Sequence, residues 1–114
     1  MKIPKRLNIG GLEHMVLETP SVIDGRKSLY GRIDYGDCVI RISSSECGSY
    51  EQQCVVMLHE ALHGISHQAA LNFKKDSEER IITALAFGIY RLLQDNAARL
   101  FDILVPTKTY NNDG

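Results

Sequence analysis

The sequence predicts an α+β fold: a small, antiparallel-rich N-terminal β-sheet packed on one long helix, with a second long helix antiparallel to the first. Three observations carry this expectation. β-Branched residues, glycines and turn dipeptides crowd residues 1–48. From residue 49 on, apolar residues recur at helical spacing almost to the end. Only a short polar connection interrupts that second stretch, and short connections join antiparallel helix neighbours. At 114 residues the chain fits one domain. It reads as a sheet layer over 1–48, a two-helix layer over 49–105 and a polar, frayed tail over 106–114.

Residues 6–9 read as a strand ending at Gly10-Gly11, a turn signal. Residues 13–19 alternate loosely and stop at Pro20, and residues 21–27 carry the turn dipeptide Asp24-Gly25. Residues 28–34 and 38–43 flank Tyr35-Gly36-Asp37, a compact hairpin signal in which Gly36 can supply a positive φ. Ser49, at the end of a polar loop, is suited to cap a helix, with Gln52 as its capping-box partner.

The first helix is expected from about Tyr50 to Ala70. Leu58, Leu62, Ile65 and Ala69 share a stripe, with Val55 at its edge, that should pack on the sheet. The second helix is expected from near Ser77 to about Leu104, before Pro106. Its apolar stripe is Ile82, Leu85, Ala86, Ile89, Leu93, Ala97 and Leu100. Asp76-Ser77-Glu78-Glu79 has the form of a capping box with Asp76 as N-cap. Gly88 weakens this helix by ~1 kcal/mol relative to Ala and can admit a close approach to the first helix.

Thirteen basic and fourteen acidic residues give a formal net charge of −1. No basic excess exists to drive binding to phosphate backbones, so nucleic acid is not an expected partner. No apolar run approaches the ~20 residues that cross a bilayer, and no secretory leader is legible; neither membrane association nor export is expected, and a cytoplasmic location is. Cys38, Cys47 and Cys54 form no CxxC pair and are expected as free thiols.

The chemistry is concentrated in His59-Glu60-Ala61-Leu62-His63, an H-E-x-x-H motif inside the first helix. Positions i and i+4 lie one turn apart on one face, so two imidazoles there can meet one metal ion at ~2.0–2.1 Å. Glu60 is rotated by about 100° from His59 and can reach a metal-bound water, as its general base, without ligating the metal. The competing reading is two half-buried histidines that hydrogen-bond locally. A catalytic zinc needs a third ligand. Glu78 and Glu79 both flank the apolar stripe of the second helix, and periodicity does not separate them. His67 lies about 12 Å along the axis from His59, too far for one ion to take all three rings. His14 falls in a strand with no supporting neighbours. Tyr90 shares the face of Glu79 and is expected in the core.

Residues 58–65 (LHEALHGI) followed by 77–86 (SEERIITALA) resemble the minimal gluzincin metallopeptidases. They are similar, too, to the ImmA/IrrE-type metallopeptidase domains of phages and mobile elements. Residues 88–96 (GIYRLLQDN), 31–35 (GRIDY) and 39–42 (VIRI) fit the same layout. The likeness spans most of the chain; its specific part is His-Glu-His. It implies a zincin-like fold, zinc ligands at His59 and His63, a general base at Glu60, and a third ligand at a glutamate opening the next helix. The family pattern there is E-x-x-A-N-x-F-A. Setting its last Ala on Ala86 gives Glu79, with Ile82, Thr83 and Leu85 replacing the Ala, Asn and Phe. It further implies a cleft-lining edge strand, here residues 38–43, to which a peptide adds by β-augmentation.

The implied activity is a zinc-dependent endopeptidase, a hydrolase acting on a peptide or protein such as a single regulator. A chain this small leaves little protein for a deep substrate pocket. The alternative is a catalytically silent zinc-binding interaction module, and Glu60 discriminates: a purely structural site has no use for an uncoordinated base.

Overall fold

Turn chemistry cuts the first half of the chain into short strands, and capping starts the first helix. The computed structural model describes residues 2–105; the tail expected over 106–114 lies outside the described residues. The strands are β1 (Arg6–Ile9), β2 (Leu12–Thr19), β3 (Val22–Asp24), β4 (Lys27–Leu29), β5 (Gly31–Asp34) and β6 (Val39–Ser43), followed by helices α1 (Tyr50–Gln68) and α2 (Lys75–Leu104). The fold is α+β, as the sequence predicts.

Gly10 and Gly11, both at positive φ, reverse the chain between β1 and β2. Residues 21–34, expected as two strands, make three. Gly25 (φ 64°) folds β3 onto β4 as a separate two-stranded hairpin, and the chain breaks again before β5. The main sheet has the order β1-β2-β6-β5. Its β2–β6 pair is parallel and the other two are antiparallel. In the β5–β6 turn, the left-handed residue is Cys38 (φ 54°), not Gly36. The Asp34 carboxylate accepts from the Asp37 amide at 3.0 Å, so the reversal is completed one residue beyond that contact.

Residues 38–43 are therefore not an edge. β6 lies between β2 and β5, with Ile40 and Ile42 fully buried. The sheet's two edge strands are β1 and β5, and the residues of β5 are half-buried or exposed. An extended peptide can add only to a strand with unpaired N–H and C=O groups, which β6 lacks.

Helix α1 closes one face of this sheet. The Ser49 hydroxyl accepts from the Gln52 amide at 3.1 Å. The Gln52 side chain reaches one residue further back than a capping box does, accepting from the Gly48 amide at 2.9 Å. The core joins Ile9, Val16, Ile40 and Ile42 of the sheet to Val56, Met57 and Ala61 of α1.

The buried face of α1 thus runs through Met57, Ala61 and Gly64. The expected stripe lies one residue, about 100°, around the helix: Leu58 and Leu62 are half-buried and Ile65 is 49% exposed. Small residues explain the rotation. A Cβ on Gly64 would sit 3.1 Å from Ile33 and 3.6 Å from Ile9, so helix and sheet meet where side chains are smallest. Counting large aliphatics alone points to the wrong face.

After α1, Ala70 (φ 52°) and Asn72 (φ 57°) turn the chain into α2. The Glu78 amide bonds the Lys74 carbonyl at 2.8 Å, so α2 starts two residues before the expected point and Asp76 lies inside its first turn rather than capping it. Asp76 and Glu78 there favour the positive end of the helix dipole.

Only Ile82 and Ala86 of the α2 stripe are buried; Leu85 and Leu93 are 47% and 36% exposed. The reason is length. Thirty residues make a rod of about 45 Å against about 28 Å for the nineteen of α1, and the far end of α2 has nothing to pack on among the described residues. At Asn96 the backbone leaves helical geometry, its side chain donating to the Leu92 carbonyl at 3.0 Å. Gly88 has open space around it, so no close approach uses it. No described helix is long and apolar enough to cross a membrane. The three cysteines are free thiols.

Gly31 binds β5 to α1: a Cβ there would lie 2.6 Å from Val56 and 3.0 Å from the Arg41 carbonyl. Gly31→Val is expected to cost about 1–3 kcal/mol by overpacking, read as a lower midpoint in denaturant unfolding. A variant as stable as wild type contradicts this packing.

Candidate metal centre

One helical turn separates His59 from His63, and the seating of α1 on Ala61 and Gly64 leaves both rings off the sheet. Their centroids are 4.9 Å apart at 61°. The Nε2 atoms approach to 3.2 Å. Helix α2 runs back along α1, its first turn beside His59, His63 and Ser66 and its Tyr90 within electrostatic reach of Glu51. That packing delivers Glu79. Its Oε1 lies 3.4 Å from His59 Nε2 and 2.5 Å from His63 Nε2.

The ligand atoms of His59, His63 and Glu79 all lie within 4.8 Å of one another, a group that can hold a metal ion. The donor chemistry fits. Two imidazole nitrogens and a carboxylate oxygen are the donor set of a catalytic zinc site. Burial lowers the His59 pKa, against an opposing pull from Glu79, and a neutral ring is the form that donates a lone pair to a metal.

Glu78 and Glu79 part company here. Glu78 stays outside the group, its Oε2 2.8 Å from His63 Nδ1 and its Oε1 accepting from the Ser66 hydroxyl at 2.7 Å. The Ser66 bond is the largest influence holding the Glu78 carboxyl below its usual range.

Glu60 points between α1 and the sheet and is 8% exposed. Burial raises its pKa from the ordinary 4.5 to about 7; nearby His63 and the Ile33 backbone oppose that rise, and Glu79 adds to it. Glu60 is therefore an acid beside the histidines yet outside the ligand group, as helix geometry requires.

The other histidines are elsewhere. His67 stacks on Tyr35, centroids 3.9 Å apart and rings within 4° of parallel. His14 is buried in β2, its Nδ1 2.9 Å from the Leu12 carbonyl. Tyr35 is a residue that sequence reasoning leaves unplaced. Its hydroxyl donates to the His63 carbonyl at 3.5 Å. Burial and then Glu78, Glu60 and Glu79 raise its pKa. Only its place in the β5–β6 turn hinted at this.

A groove of ≈ 1540 Å³ opens over the site. Helix α1 is its floor, strands β4 and β5 with Tyr30 form one wall, and Thr83, Phe87 and Tyr90 of α2 form the other. Tyr90 is thus half-buried in a groove wall, not in the core. The groove exceeds the expectation for so short a chain because α2 overhangs α1 and supplies a second wall. No family model, curated protein or solved structure matches the chain.

Because folding raises the Glu60 pKa, its contribution to the stability of the metal-free protein is fully present below about pH 4.5 and is lost as the pH rises through about 7. Metal-free Glu60→Gln is expected to exceed wild type in stability at pH 8 relative to pH 4.5 by roughly 2–3 kcal/mol. Urea unfolding at both pH values checks this, and a difference independent of pH contradicts it.

Proposed function

We propose that the chain is a zinc-dependent metallo-endopeptidase with His59, His63 and Glu79 as metal ligands and Glu60 as general base. The observation that supports it most is the convergence of two Nε2 atoms and the Glu79 Oε1 beside a buried carboxyl raised to about 7. Zinc is favoured by the nitrogen-and-carboxylate donor set. When bound, such an ion would polarise a peptide carbonyl and acidify a water.

The chain's own residues supply the remaining parts. Glu60, poised near neutrality, can take a proton at its carboxylate and return it to the leaving amine. Phe87 and Tyr90 offer apolar contact along the groove. The free β5 edge offers N–H and C=O groups to an extended segment. An open groove with a strand edge suits a peptide or an unfolded protein segment better than a small metabolite. The resemblance to gluzincins and ImmA/IrrE-type domains supports the same reading, and with it a regulator protein as substrate. The silent-module alternative leaves the buried Glu60 acid without a purpose.

Zinc-loaded wild type is expected to cleave unfolded protein substrates such as casein. Glu60→Gln should retain one equivalent of zinc while its kcat/KM falls by about 10²–10⁴. His59→Ala should bind zinc far more weakly than wild type. Hydrolysis by Glu60→Gln at the wild-type rate, or none by fully loaded wild type, overturns the proposal.

A further inference from the structure

Glu78 has both carboxylate oxygens engaged: Oε2 on His63 Nδ1 at 2.8 Å and Oε1 on the Ser66 hydroxyl at 2.7 Å. Neither bond is incidental to an exposed surface. The Glu78 side chain is 21% exposed against 52% for Glu79, the His63 side chain is 13% exposed, and Ser66 is buried. Consecutive residues on a helix point about 100° apart, so Glu78 and Glu79 reach opposite nitrogens of one ring. Glu79 meets His63 Nε2 while Glu78 meets Nδ1.

An ionised carboxylate is an acceptor only, so the short contact to Nδ1 requires the hydrogen there. Nε2 faces His59 and the Glu79 carboxylate, and with the hydrogen held at Nδ1 its lone pair would be available to a metal ion bound among the three. A histidine bound to metal through one nitrogen commonly donates its other N–H to a carboxylate, which fixes tautomer and ring orientation. Ser66 lies three residues after His63, on the same face, and its hydroxyl holds the far oxygen of that carboxylate.

We infer that Glu78 is a positioning residue which, held by Ser66, fixes the tautomer and aim of His63 and so sets the metal affinity of a centre it does not itself ligate. This rests on the reading of His59, His63 and Glu79 as ligands. It also gives the two adjacent glutamates different tasks, one toward the metal and one toward its ligand.

The test is zinc affinity, measured by competition with a chromophoric chelator on the full chain, with no hydrolysis assay. Glu78→Ala is expected to bind zinc 10- to 100-fold more weakly than wild type, and Glu79→Ala more weakly still. Glu78→Gln, which keeps an acceptor for Nδ1–H, should recover part of the loss and covers the case of Glu78→Ala failing to fold. Ser66→Ala should weaken binding by a smaller factor. Because Ser66 acts through Glu78, the double variant Ser66→Ala/Glu78→Ala should match Glu78→Ala alone. A merely structural role predicts additive losses. Wild-type affinity in both Glu78 variants overturns the inference, as do additive Ser66 and Glu78 losses. A greater loss from Glu78→Ala than from Glu79→Ala overturns it by making Glu78 the ligand. Wild type that takes up no zinc removes the underlying metal reading instead, so the two failures are distinguishable.

Discussion

The close seating of α1 on the sheet, through Ala61 and Gly64, is the constraint from which the site follows. A helix has one rotation about its axis, and choosing the small-residue face for the sheet fixes where every other side chain goes. His59 and His63 then clear the sheet and meet α2, while Glu60 falls at the seam with β5 and loses its water. With a Cβ only 3.1 Å from Ile33 if Gly64 were larger, that rotation has little freedom. The site is thus a consequence of packing as much as of the motif.

Three carboxyls crowd this region, and their surroundings sort them. Glu79 is half exposed and meets both rings at Nε2. Glu78 is held on both oxygens and kept ionised by those bonds. Glu60 is buried, and desolvation favours its protonated form toward neutrality. On the proposed reading, one residue type serves as ligand, as anchor of a ligand and as proton carrier. What differs is hydration and hydrogen bonding, both set by which element each residue sits on and which way it points.

Much of this was legible in the sequence. The α+β order, the β1, β2 and β5–β6 signals, the Ser49 cap and the facing of His59 and His63 depend on local rules that operate over one or two turns. The pairing of short-linked helices also placed a glutamate of α2 near the histidines. What was not legible depends on contacts between distant segments. The parallel β2–β6 pairing made β5 rather than β6 an edge strand, and nothing within residues 38–43 announces a second neighbour. The sheet-facing side of α1 was hidden because Ala, Gly and Cys carry little weight in a hydrophobic pattern. The different contacts of Glu78 and Glu79 need the Ser66 hydroxyl, twelve residues before Glu78, to be seen in space. The Asn96 bend and the overhang of α2 likewise follow from relative helix lengths in three dimensions.

The central claim is that two imidazoles of α1 and one carboxylate of α2 share a single zinc ion. X-ray absorption spectroscopy on protein loaded with one equivalent of zinc tests it most directly. The account predicts two imidazole nitrogens and light oxygen scatterers at ~2.0–2.2 Å, with one imidazole contribution lost in His63→Ala. A shell containing sulfur at ~2.3 Å, or a spectrum unchanged in that variant, contradicts it.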